Sequence, residues 1–196
     1  MKEINEENKI IIIHAKNVFI EVKNAFEIGQ IQITLSKYDP SQEKFKKIEK
    51  SIDIYMSFDK FLLFSNDVLS GRISALAKLE REKQKKEGNE YCVAIYVIKG
   101  GTPEEKLKGT GKERKDGKSV SRQFKITPGK NSPWVLSGES GPGEIKNGLI
   151  IPCYVKGKPE VIVRVPLTDE ELKRLVLIVN AHVQAYINSQ YQVKYT

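Results

Sequence analysis

Apolar and polar positions alternate through most of the first sixty residues. Ile10 to Ile13 and Val18 to Val22 are short apolar runs parted by the polar turn at Lys16-Asn17. Ile31, Ile33 and Leu35 then alternate with Gln30, Gln32, Thr34 and Ser36, the period-2 signature of a half-buried strand. Asp39-Pro40-Ser41 predicts a turn. A fourth strand follows, with Ile52, Ile54, Met56 and Phe58 alternating against Asp53, Tyr55 and Ser57. The period then changes. Asp59 is positioned as an N-cap, and Phe61, Phe64, Val68, Ile73 and Leu76 fall on one helical stripe, ending in the charged stretch Glu80 to Glu87.

The same order recurs. Tyr91 to Lys99, Val120 to Thr127, Leu149 to Lys156 and Val161 to Val165 are expected strands, the last two parted by Gly157-Lys158-Pro159. Thr168 with Glu171 forms a capping box, and Leu172, Leu175, Val176, Val179, Val183 and Tyr186 give the stripe of a final helix. Ile52 to Asp59 overlays Val161 to Thr168, apolar positions coinciding at 52/161, 54/163, 56/165 and 58/167 before both copies enter a helix. The expectation is an α+β fold of duplicated β-β-β-β-α units with antiparallel sheets. Residues 1–88 form the first unit and 89–196 the second, with a basic loop at 100–119, together making one domain.

At 196 residues the chain is long enough for such a core. No apolar run reaches the roughly 20 residues of a membrane span, and the charged stretch from Met1 to Lys9 leads into only four isoleucines, unlike a secretory signal. A soluble, cytoplasmic protein is expected. Cys92 and Cys153 stand apart in apolar runs and are expected to be buried small hydrophobes, and His14 and His182 are expected to be structural. Four such widely spaced residues hold no zinc signature, so neither a metal nor a cofactor is expected. Gly117-Lys118-Ser119 has the ending of a phosphate-binding loop, but the glycine required five residues earlier is Lys112, and a strand rather than a helix follows. Gly138-Glu139-Ser140-Gly141-Pro142-Gly143 reads as a mobile hairpin loop.

Charge changes the picture. The chain carries a net +8, yet residues 1–98 contribute only +1 and 165–196 nothing, so residues 99–164 hold +7. Such concentration fits the electrostatic footprint of a polyanion ligand, and equally a solvated loop kept basic for solubility. Phosphate-facing candidates are Lys99, Lys112, Arg114, Lys115, Lys118, Arg122, Lys125, Lys130, Lys156 and Arg164. Aromatic candidates for base stacking are Tyr96, Tyr154 and Trp134, the last equally a cap over the core, with Tyr38 a weaker one, while Phe124 shares a face with Val120 and Ile126 and belongs to the core. Alternation sets Tyr96 on a less apolar face with Cys92 and Ala94, opposite Val93, Ile95 and Val97. No convergent acid–base pair stands out, so an enzyme is not expected.

The duplicated layout, and the run Val161-Ile162-Val163-Arg164-Val165-Pro166-Leu167-Thr168-Asp169-Glu170-Glu171-Leu172, resembles the Whirly-like single-stranded DNA-binding superfamily, related in plan to the transcriptional coactivator and PUR-repeat domains. The resemblance implies binding of single-stranded nucleic acid, most readily DNA, with little sequence specificity, in replication, transfer or transcription, and a homo-oligomer. The alternative is a noncatalytic oligomeric scaffold whose basic loop docks an acidic protein partner.

Overall fold

The computed structural model describes residues 8–43 and 47–191; most of the charged stretch from Met1 to Lys9 lies outside them. The first half is a meander of β1 (Lys9–Ala15), β2 (Val18–Ala25), β3 (Gln30–Tyr38) and β4 (Ile48–Ser57), all antiparallel in that order. Asn17 turns the first hairpin at φ 60°, a left-handed conformation that asparagine tolerates. The register aligns Ile13, Ile20, Leu35 and Ile52 in one row across all four strands. All four are buried, so the alternating pattern supplies one apolar face.

The helical stretch after β4 is two helices. Phe58–Leu69 (α1) begins one residue before the expected cap. Ser57 is its N-cap and Asp59 lies in the first turn, where the Ser57 hydroxyl, with backbone N–H groups, holds the carboxyl below its usual range. Gly71, at φ +80°, breaks the chain before α2 (Arg72–Glu87). The break resets the helical phase, so Ile73 and Ala77 are buried in α2 while Leu76 is only half-buried.

The second half is β5 (Tyr96–Thr102), the short α3 (Glu104–Leu107), β6 (Ser119–Pro128), β7 (Trp134–Lys146), β8 (Leu149–Pro152), β9 (Val161–Leu167) and α4 (Asp169–Gln190). Both halves run strands first and helix after, and the fold is α+β with two antiparallel sheets, of four and five strands. The four-strand count expected for the second unit is corrected to five. Residues 91–95 are irregular, and the chain beyond Pro152 passes into a single 3-10 turn at Val155–Gly157.

The fifth strand is the segment expected to be a mobile loop. β7 is the central strand of the second sheet. It pairs with β6 from Trp134 to Gly143, and on its other edge with β9 up to Ser140 and with β8 from Gly143. Its glycines mark close approaches of other parts of the fold. A Cβ at Gly138 would stand 3.2 Å from Leu35 and 3.5 Å from Ile52 of the first sheet. One at Gly141 would stand 3.0 Å from the Tyr154 ring, and one at Gly143 2.6 Å from Ile150 Cγ2 and 2.9 Å from Ser121 Cβ. The second sheet thus coils until β8 reaches β5. Gly143→Ala is expected to cost about 1–3 kcal/mol by overpacking, seen as a lower urea midpoint with an unchanged m-value.

One core joins the halves. Phe64 of α1 packs on Phe124 of β6 with ring centroids 5.8 Å apart, and Leu136, Val165, Leu167, Val176 and Val179 continue the same cluster into Ile33 and Leu35. The capping box holds as the sequence indicates, Thr168 Oγ1 accepting from the Glu171 N–H at 3.2 Å. His14 and His182 are exposed, His14 with its ring 5.6 Å from Phe19, and both cysteines are free and half-buried, which corrects the reading of buried thiols. Among the described residues no helix is long and apolar enough to cross a membrane.

Candidate nucleic-acid interface

Strand parity determines which side chains of the second sheet turn away from the core. In β6, Phe124 and Ile126 are buried in the core, so Ser121, Gln123, Lys125 and Thr127 point outward. In β7 the inward set is Trp134, Leu136 and Gly138, leaving Val135, Ser137 and Glu139 outside. In β9, Val163, Val165 and Leu167 face in, and Arg164 and Pro166 face out. Register then builds rows across the strands. Lys125 lies opposite Ser137, which lies opposite Arg164, and the next row is Lys99, Gln123, Glu139 and Ile162.

The C-terminal half of α2 and the segment from Glu90 to Ala94 face this surface. Arg81 Nη2 donates to the Pro133 carbonyl at 2.9 Å, tying α2 to the β6–β7 turn. The Glu80 carboxylate accepts the Val93 N–H at 2.8 Å, and Gln84 Nε2 donates to the Asn89 carbonyl at 2.6 Å, holding the segment against the helix. Between helix and sheet lies a cleft of about 1170 Å³, into which Arg81, Lys85, Lys125, Lys130 and Arg164 converge, against only Glu90 and Glu139 of opposite sign. Lys125 Nζ is 2.6 Å from Glu139 Oε2 in a half-buried pair. Arg164 and Lys130 are exposed and have no carboxylate partner among the described residues. Tyr91, 66 % exposed, stands in the lining, and burial pushes the Cys92 thiol above its usual range.

Of the residues marked in the sequence, Lys125, Lys130 and Arg164 meet in this cleft, and Lys99 is exposed on the same sheet face, opposite Gln123. The others lie elsewhere. Tyr96 turns toward the core, its ring 5.4 Å from Phe64, and burial raises its phenol. The facial assignment of β5 is thereby reversed: Val97 is exposed and Tyr96 packs inward with Ile98, because the apolar core lies on their side. Trp134 is 4 % exposed and its Nε1 donates to Asp169 Oδ1 at 2.5 Å, a cap over the core with no ring face open to a base. Arg122 shares the inner face with Phe124 and donates to Thr102 Oγ1 at 2.7 Å, and burial lowers its pKa. Tyr154 covers Gly141 on the outer face beyond the cleft, its phenol raised by burial. Tyr38 packs 6.2 Å from Phe19 on the first sheet.

Half of the basic loop's cations are ion-paired, Lys108 with Glu104, and Arg114 and Lys118 as follows. Arg114 contacts Glu160 at 2.6 Å and Asp116 at 2.7 Å. These bonds raise the guanidinium pKa and hold the Asp116 carboxyl down at about 2. Lys118 is 3.3 Å from Glu144, and that contact raises its pKa. Lys112, Lys115 and Lys156 are exposed and outside the cleft. Arg114→Ala is therefore expected to leave oligonucleotide affinity within about twofold of wild type, since its charge is already compensated; a fluorescence-anisotropy titration checks this.

Arg81, Lys85 and Tyr91 were not among the sequence candidates. They lie in a stretch whose charges balance, and nothing local shows that it folds over the second sheet. No family model, curated protein or solved structure matches the chain.

Proposed function

We propose that the chain binds single-stranded nucleic acid in the cleft between α2 and the outer face of the second sheet. One observation carries the reading. Cations from four separated places, α2, β6, the β6–β7 turn and β9, converge on one concavity, and of the five only Lys125 has a carboxylate partner among the described residues. Unpaired cations gathered in a groove track a phosphate backbone, while an exposed aromatic ring beside them offers a face to an unstacked base. Tyr91 takes the stacking role here. A strand with unpaired bases, in preference to a duplex, is the proposed occupant of this cleft between helix and sheet. Backbone contacts dominate, so overall sequence preference is small. A duplicated Whirly-like plan belongs to the same proposal and is supported by the strand-then-helix order of both halves, while assembly into a homo-oligomer is proposed on the resemblance alone.

The test is anisotropy with labelled oligo-dT, an equal-length duplex and single-stranded RNA across a salt series. Binding to the single strand over the duplex is expected, with log K falling by ~0.7 per neutralised phosphate for each decade of salt. Absence of binding to every strand at low salt would overturn the proposal and leave the basic surface to an acidic protein partner.

A further inference from the structure

Glu139 is out of place in a cleft that only grips phosphates. It is 8 % exposed, is the last residue of β7 along the cleft floor, and sets a carboxylate where a phosphate would be repelled. Its Oε2 is engaged by Lys125 Nζ at 2.6 Å. Its Oε1 accepts no hydrogen bond from the described residues, and the side chain, about one-tenth exposed, belongs to the cleft lining. A carboxylate oxygen accepts and never donates. The open position is therefore complementary to a ligand group bearing N–H donors, and the neighbouring ammonium to an acceptor beside them.

The order of groups selects among bases. Lys125 and Glu139 offer a donor followed by two acceptors. Guanine presents the converse on its Watson–Crick edge: the O6 acceptor, then the N1–H and N2–H donors. Adenine and cytosine can offer one donor to the carboxylate and one acceptor to the ammonium, leaving the second oxygen unused. Thymine flanks its single N3–H with two carbonyls, so one of them meets the carboxylate. Building on the proposed single-strand binding, we infer that the Lys125–Glu139 pair reads one base of the bound strand and selects guanine there, while the surrounding cations hold phosphates without regard to sequence.

The experiment uses the full chain and oligo-dT carrying one central substitution: guanine, hypoxanthine (which lacks the N2 donor), 1-methylguanine (which lacks the N1–H) or thymine. Guanine is expected to bind about tenfold more tightly than thymine, the range of a good two-point base contact. Hypoxanthine should fall between, and 1-methylguanine should match thymine. Glu139→Gln should erase the guanine preference, read as equal affinity of the variant for the guanine and thymine strands. Tight binding with equal affinity for guanine and thymine in the wild-type protein would overturn the inference and leave the single-strand reading standing. A guanine preference that survives Glu139→Gln would also overturn it. Failure of every oligonucleotide to bind would remove both readings together. The wild-type base series needs no variant to fold, so equal affinity for guanine and thymine overturns the inference without one.

Discussion

Arg164→Glu combined with Lys130→Glu is expected to weaken single-strand binding by about 100-fold and to flatten its salt dependence. Each side chain is exposed, reaches the cleft and has no carboxylate partner among the described residues, so its charge is available to a phosphate. A hydrogen bond to a charged group contributes about 1.5–3 kcal/mol. Losing two therefore removes at least ~3 kcal/mol, which is about two decades in Kd. Two fewer neutralised phosphates lower the slope of log K against log salt by ~1.4. The fold should survive, because Arg164 points away from the core on β9 and Lys130 sits in a turn; an unchanged urea midpoint checks that. Arg114 supplies the contrast, being held by Glu160 and Asp116. An unchanged salt slope in the double variant would remove the cleft from consideration.

That contrast explains how far the sequence carried the site. Charge counting pointed to residues 99–164, and Lys125, Lys130 and Arg164 do come from there. Counting gives each lysine and arginine the same weight, however. The pairing of Arg114 with Glu160, across 46 residues, forms only once the fold exists. The converse error hid Arg81 and Lys85, which lie among acidic neighbours in sequence yet turn into the cleft. Outward parity for Lys125 and Arg164 was legible, since Phe124 and the valines flanking Arg164 had to face the core. That the two belong to one row needed the register through Ser137.

The fold divides in the same way. The first sheet was readable because one of its faces is apolar and the other polar, which is what alternation encodes. β7 was not, because its sequence has turn composition. Gly138, Gly141 and Gly143 are required where Leu35 and Ile52, Tyr154, and Ile150 crowd the backbone. That demand is set by other parts of the fold, and no local window contains it. A glycine-rich stretch is read as a loop unless the closely packed neighbours are known.

Trp134→Ala is expected to destabilise the fold by about 3–5 kcal/mol, the usual cost of truncating a buried large aromatic side chain. Trp134 opens β7, opposite Pro128 on one side and Leu167 on the other, and its Nε1–H bonds the carboxylate of Asp169, the first residue of α4. One side chain thus joins the central strand to the final helix. Against a total stability of typically 5–15 kcal/mol, such a loss is large, and a urea titration should show it plainly. Trp134→Phe keeps most of the apolar burial and loses only the donor to an exposed carboxylate. It should cost about 1.5–3 kcal/mol, the worth of one hydrogen bond to a charged group, and leave oligonucleotide affinity unchanged. The native protein offers a direct check, because Trp134 is its only tryptophan. Emission from a core indole should resist acrylamide and should not be quenched when oligo-dT binds. Strong quenching by the oligonucleotide, or an alanine variant as stable as wild type, would return Trp134 to the binding surface and require the start of β7 to open when a strand binds.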